Sequence, residues 1–205
     1  MQWYGFLVAL PFVVGYLLGS IPFGLLLTKA AGLGDIRSIG SGNIGATNVL
    51  RTGHKGLAAA TLLLDALKGL AAVLICGVLG PLTAISAAIG AVLGHMFPVW
   101  LSFKGGKGMA TAIGVMWGLS WPVGAVTCAA WLLLAALFRY SSLATLGSIA
   151  VGAIAAWFIV DWPIAAAVTA LVPLVWLRHH ANIRRLLDGS EPKIGQRKAD
   201  ASPAA

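Results

Sequence analysis

Three stretches of this chain gather hydroxyls, amides, bases and glycines in otherwise apolar surroundings. The first runs from Gly40 to Arg51 and holds Ser41, Asn43, Gly45, Thr47 and Asn48. Its glycines permit left-handed turns and close backbone approach, while its polar side chains and Arg51 supply donors. Such a segment suits a phosphate or an oxyanion, and by residue type alone it equally suits a capped turn. The second contains His95, then Lys104-Gly105-Gly106-Lys107-Gly108, and leads directly into an apolar run. A glycine-rich turn opening a helix offers unpaired N–H groups and the positive end of the helix dipole to an anion, and two lysines add point charge. It is not a Walker A loop, because Leu101 stands where that pattern needs Gly and Gly108 follows Lys107. A basic loop can also simply set topology or touch anionic lipid. Two lysines bracketed by three glycines exceed that need. The third stretch reads Arg178-His179-His180-Ala181-Asn182, with Arg184, Arg185 and Glu191 beyond. If its helix continues to about Leu187, His179 and Asn182 share one face and His180 and Arg184 another. Taken alone, it reads as a snorkelling basic helix end.

The elements that must position these residues belong in lipid. Of 205 residues, 59% are hydrophobic and 10% charged, and the mean hydropathy is +0.91, more apolar surface than a soluble core of this size hides. The expected fold is an all-α integral membrane protein, a polytopic helical bundle. Candidate spans, about 20 apolar residues each or shorter where the ends are polar, are residues 6–27, 57–79, 82–101, 143–160 and 164–177. The first lacks the basic flank of a cleavable signal.

The stretch 108–138 is interrupted by Ser120-Trp121-Pro122 and reads as one kinked helix or two short ones. Charge decides, since Lys and Arg collect in cytoplasmic loops. Two short helices give seven crossings. All but one of the 14 bases then lie on one side, and the opposite turns, Gly80-Pro81, Ser120-Trp121-Pro122 and Asp161-Trp162-Pro163, hold none. The N-terminus is then outside and the C-terminus cytoplasmic, with Trp121 and Trp162 in the outer aromatic belt. The remaining base, Lys68, stands three residues after Asp65 within a span, and the pair reads first as mutually neutralising structure. Residues 1–191 form one domain, and 192–205 read as a disordered tail.

A formal net charge of +8 suggests nucleic acid, anionic lipid or a phosphorylated substrate. The bases are split among short loops without an aromatic-lined stripe, which argues against nucleic acid. Cys76 and Cys128 sit in apolar runs and read as packing residues. Carboxylates and histidines do not cluster as metal ligands, so neither metal nor cofactor is expected. All three polar motifs fall on the predicted cytoplasmic side, which points to an active site at that interface. A transporter of an organic phosphate is the non-enzymatic alternative, but it would place polar groups through the midplane.

In order and spacing, the three motifs resemble those of the bacterial membrane glycerol-3-phosphate acyltransferases that use acyl phosphate, the PlsY family. The resemblance rests on Gly40 to Asn48 with Arg51, on Gly94-His95 with Phe97-Pro98 and Phe103 to Gly108, and on Arg178-His179 with Asn182-Ile183 and Glu191. Arg139 to Leu143 adds a fourth, shorter match. It implies transfer of a fatty acyl group from acyl phosphate to the sn-1 hydroxyl of glycerol-3-phosphate in the bacterial inner membrane, giving lysophosphatidic acid and phosphate.

The resemblance places Ser41, Arg51, Lys104, His179 and Asn182 at the chemistry. Asn43, Gly45, Thr47, Asn48 and Ser142 would bind donor and phosphate, and Gly105, Gly106, Lys107, Gly108 and His95 the acceptor. Asp65, Lys68, Arg178 and Glu191 read as structural or unassigned. The partners are then the two substrates and membrane lipids, with no obligate protein partner. Transfer assisted by a substrate phosphate oxygen, His179 as general base, and an acyl-enzyme on Ser41 are the competing mechanisms. Thioester-using acyltransferases carry His-x-x-x-x-Asp, whereas five residues after His54, His95, His179 and His180 stand Ala59, Trp100, Arg184 and Arg185.

Overall fold

The computed structural model describes residues 2–195, and among them it is helical without strands. The helices are α1 (Gln2–Gly19), α2 (Phe23–Ala30), α3 (Ala46–Val49), α4 (Lys55–Gly77), α5 (Pro81–Met96), α6 (Met109–Leu119), α7 (Trp121–Phe138), α8 (Ser141–Ile159), α9 (Trp162–Arg178) and α10 (His180–Leu187). Residues 8–30, α4, α5 with the turn after it, α7 and α8 are long and apolar enough to cross a membrane. The pair α9–α10 reaches the same length with a 66° bend, and α6 is a shorter apolar helix. As the interruption at Ser120 predicts, residues 108–138 form two helices, folded back so that Gly124 packs on Trp117.

Two expectations need correction. The first span is not one helix through Leu27 but breaks at Ser20-Ile21-Pro22. Proline lacks an N–H and disfavours helical geometry in the residue before it. The carbonyl of Ile21 instead accepts from Lys68 Nζ at 2.7 Å. The last helix likewise does not run straight to Leu187 but turns at His179.

Packing follows membrane logic, with small residues inside and large apolar ones facing lipid. Gly15 and Gly19 lie against the backbone of Ala87 and Ala91, and Gly90 and Gly94 against that of Phe12 and Tyr16, so α1 and α5 approach nearly backbone to backbone. The main core includes Ala87, Ala91, Val92, Met96, Val115, Met116, Ile149, Val168 and Leu171. Leu62, Leu132, Leu137 and Phe158 are exposed. A second, smaller core of Leu25, Ile36, Ile44, Val49 and Ala58 lies beneath the first polar segment, which is therefore anchored and not a free loop.

Candidate active site

The first polar segment is built on one buried amide. Asn48 donates through Nδ2 to the carbonyls of Ile36 and Ile39 at 2.9 and 3.0 Å. Its Oδ1 accepts from the Ser41 amide at 3.1 Å, the Ser41 hydroxyl at 3.4 Å and Arg51 Nη1 at 3.3 Å. These bonds saturate Asn48, so it shapes the segment instead of offering itself to a ligand. Ser41, Thr47 and Arg51 are exposed around it. Asn43 accepts from the Gly45 amide at 2.9 Å, closing a local turn. Gly40 and Gly42 have φ of +61° and +68°, the left-handed values that glycine adopts at no steric cost.

The second segment is tighter than its glycines suggest. The amides of Gly105 and Gly106 donate to the carbonyls of Met96 and His95 at 3.2 and 3.0 Å. Their own carbonyls accept from Arg178 Nη2 and Nε at 2.9 and 3.1 Å. A Cβ on Gly105 would collide with the His95 carbonyl and Pro98, and one on Gly106 with the His95 ring. The glycine pair is thus a plate pressed against the end of α5 and clamped by Arg178. Gly108 turns with φ of +88° into α6, whose first intrahelical bond is from the Ala112 amide to the Gly108 carbonyl at 2.8 Å. The earlier amides of that turn have no intrahelical acceptor. Lys104 is exposed.

Lys107 joins the second segment to the third, donating to Asn182 Oδ1 at 2.5 Å. Asn182 in turn donates through Nδ2 to Glu191 Oε1 at 2.6 Å. The same oxygen accepts from Ser142 Oγ at 2.6 Å, and Oε2 accepts from Arg185 Nε at 2.6 Å. Burial alone would raise the Glu191 pKa, but the bonds from Ser142, Asn182 and Arg185 outweigh it and hold the carboxyl below its ordinary value. Burial of Lys107, with Arg185, Arg51 and Arg178 nearby, lowers its pKa to about 8 despite Glu191. The Arg51 guanidinium is close enough for its charge to contribute to that lowering.

His179 is 5% exposed at the α9–α10 bend. Its Nδ1 lies 2.8 Å from the Val175 carbonyl. A carbonyl only accepts, so Nδ1 carries the hydrogen and Nε2 presents a lone pair. Burial, reinforced by Lys107 and Arg178, pushes the ring down to about 4 although the Val175 bond and Glu191 oppose it. The imidazole is neutral at physiological pH.

The structure therefore brings together Lys107, Asn182, His179, Arg178 and the Gly105–Gly108 turn, with Arg51 within electrostatic reach. Ser142 joins the cluster through Glu191. His95 lies beneath the plate at 3% exposure, and Asp65 and Lys68 form the buried ion pair expected of them, at 2.6 Å. Sequence reasoning read Arg178 and Glu191 as structural or unassigned and gave Arg185, a member of the third basic stretch, no role at the site. The acidic residue that closes a basic stretch was the one available signal. Among the described residues no group of His, Cys, Asp and Glu could hold a metal ion.

The family model described as glycerol-3-phosphate acyltransferase matches residues 9–189. A glycerol-3-phosphate acyltransferase of Mesorhizobium japonicum is 62% identical over 192 residues, covering 94% of this chain and 97% of that protein. The enzyme of that name from Brucella canis is 58% identical, over 89% of this chain and 91% of its own. Among solved structures, PlsY, an integral membrane glycerol 3-phosphate acyltransferase, superposes in its glycerol 3-phosphate form with a TM-score of 0.87 at 36% identity. That match covers 92% of this chain and 96% of the other. The lysophosphatidic acid form of that protein gives a TM-score of 0.85 at 35% identity.

Proposed function

This chain belongs to the glycerol-3-phosphate acyltransferase family, and on that footing we propose that it acylates the sn-1 hydroxyl of glycerol-3-phosphate with acyl phosphate as donor. The hydroxyl oxygen attacks the carbonyl carbon of the mixed anhydride. The ester C–O bond forms, the anhydride C–O bond breaks, and lysophosphatidic acid and inorganic phosphate leave. The observation that carries this reading is the bond from Lys107 to Asn182 beside the Arg178-clamped plate. It sets a cation, an amide and a neutral imidazole around one small polar site at the end of an apolar bundle.

The residues divide the work by charge. Lys107 and the open amides at the start of α6 meet the acceptor phosphate, with Lys104 at its rim. Arg51 with Ser41 and Thr47 meets the donor phosphate, while the acyl chain lies in lipid between helices. His179 Nε2 and Asn182 orient the hydroxyl. A base held at about 4 accepts a proton less readily than a phosphate whose second ionisation lies at about 6. The hydroxyl proton therefore passes to a phosphate oxygen of substrate, and the enzyme contributes positioning and charge neutralisation.

The distribution of bases supports seven crossings with α6 counted as one, the N-terminus outside and the site at the cytoplasmic face of the inner membrane. Glu191 closes the folded domain. Residues 192–195 extend beyond it to the α7–α8 turn, where the Ile194 amide donates to the Arg139 carbonyl at 2.6 Å. The rest of the expected tail lies outside the described residues.

Purified protein in detergent, given glycerol-3-phosphate and palmitoyl phosphate, palmitoyl-CoA or palmitoyl acyl carrier protein in parallel, tests the donor. Acceptor-dependent phosphate release from palmitoyl phosphate is expected. Transfer from a thioester with none from palmitoyl phosphate overturns the proposal, as does uptake of glycerol-3-phosphate into sealed vesicles without chemistry.

A further inference from the structure

Below the acceptor side of this site lies a second set of ionisable groups that the proposed reaction does not use. Asp65, Lys68 and His95 are 2%, 5% and 3% exposed. Lys68 Nζ pairs with Asp65 Oδ1 at 2.6 Å and also donates to the Ile21 carbonyl in the α1–α2 break at 2.7 Å. Asp65 Oδ1 faces His95 Nδ1 at 3.6 Å, and that nitrogen has no hydrogen-bond partner among the described residues. The other side of the ring bears on the site, since Gly106 sits on His95 Nε2 so closely that a methyl there would overlap it. The His95 and Met96 carbonyls receive the amides of Gly106 and Gly105.

We propose that Asp65, Lys68 and His95 are positioning residues for the acceptor-binding turn: His95 is the pillar under Gly105-Gly106, Asp65 sets its ring, and Lys68 neutralises Asp65 while tying the pillar to the α1–α2 break. The proposal rests on the reading that the Gly105–Gly108 turn binds the acceptor phosphate. Its physical basis is the cost of the arrangement. A buried pair that only neutralises itself is commonly replaceable by neutral residues without loss, and charges in a bilayer are expensive wherever they stand. This pair adjoins the one imidazole that supports the turn, and Lys107 and the free amides of α6 follow within a few residues. The Asp65 carboxylate, 3.6 Å from Nδ1, acts on the ring by charge and not by a hydrogen bond, favouring the edge with Nδ1 toward Asp65 and Nε2 toward the turn. A tilt of the ring would move the plate and with it the phosphate subsite. It would leave the donor side untouched.

Steady-state kinetics on Asp65→Asn and on the doubly neutral Asp65→Asn/Lys68→Gln test this, with Lys107→Gln as the direct-contact control. The Gln amide can still donate to the Ile21 carbonyl, so the double variant serves if the single one fails to fold. The expected result in both is a rise of at least tenfold in KM for glycerol-3-phosphate. KM for palmitoyl phosphate and kcat at saturating acceptor stay within about threefold of wild type, and the double variant has an unchanged thermal midpoint in detergent. If the double variant shows the wild-type acceptor KM, the pair is charge neutralisation only and the proposal falls. The same holds if kcat and both KM values change together. If Lys107→Gln also leaves the acceptor KM unmoved, it is the reading of the turn that has failed, and the positioning role falls with it.

Discussion

The sharpest consequence of the site concerns one proton on Lys107. Burial and the neighbouring guanidinium groups bring its amine to about 8, so at neutral pH it is still charged and can meet a phosphate dianion. Above pH 8 the free enzyme carries a neutral amine that must be reprotonated before the acceptor binds. The kcat/KM for glycerol-3-phosphate should therefore fall about tenfold per pH unit on that side. An ordinary lysine, at 10.5, would leave the profile flat there. On the acid side the acceptor becomes a monoanion below about 6, which completes a bell. At saturating acceptor the bound dianion holds the proton on Lys107, so the basic limb of kcat moves upward. Replacing the amine removes a charge-assisted bond of about 1.5–3 kcal/mol. Discounted for partial exposure, that corresponds to a loss of about 10- to 100-fold in kcat/KM. The assay is phosphate release from palmitoyl phosphate across pH, with the enzyme-free background subtracted at each point. In Lys107→Gln the limb near 8 should vanish along with most of the acceptor affinity. Its survival in that variant, or an unchanged acceptor KM, refutes the assignment.

Arg178→Lys loses the two-pronged grip on the Gly105 and Gly106 carbonyls, which an ammonium does not reproduce. The acceptor KM should rise about tenfold, with the donor KM unmoved in steady-state kinetics. Glu191 is a carboxyl whose folded-state pKa is lowered, so it stabilises the protein above its ordinary 4.5 and loses that contribution as pH falls through the folded value. Thermal midpoints should accordingly place wild type well above Glu191→Gln at neutral pH, with the gap closing below 4.5; a constant gap removes the electrostatic role. His179→Ala should lower kcat by about 10- to 1,000-fold through lost orientation while keeping the shape of the pH–rate profile. A limb between pH 6 and 7 in wild type that disappears in this variant would restore histidine as the base.

How much of this was legible in the sequence depended on whether the signal was local. The apolar runs, the division of residues 108–138 at Ser120-Trp121-Pro122 and the intramembrane pair of Asp65 and Lys68 each express themselves within a few residues, and each is present in the fold. The break before Phe23 carried a proline signal but was overridden by the continuous hydropathy of residues 6–27. The carbonyl released there is satisfied by Lys68, 47 positions away, and no local pattern anticipates it. The glycines were the most misleading feature. A run such as Gly105-Gly106 reads as a row of unpaired N–H groups offered to an anion, yet of these glycines only Gly108 needs a left-handed φ. The other two are glycine because the end of α5 and the His95 ring leave no room for a side chain. Their amides and carbonyls are already committed, so the turn is held rigid by Arg178 from above and His95 from below. That rigidity suits the chemistry. If, as proposed, the donor is an acyl phosphate and no protein base takes the proton, the rate comes from hydrogen-bond donors that need not reorganise when the acceptor arrives. Glycine supplies that here by allowing close packing, and the distant arginine and glutamate convert the packing into a fixed position for Lys107.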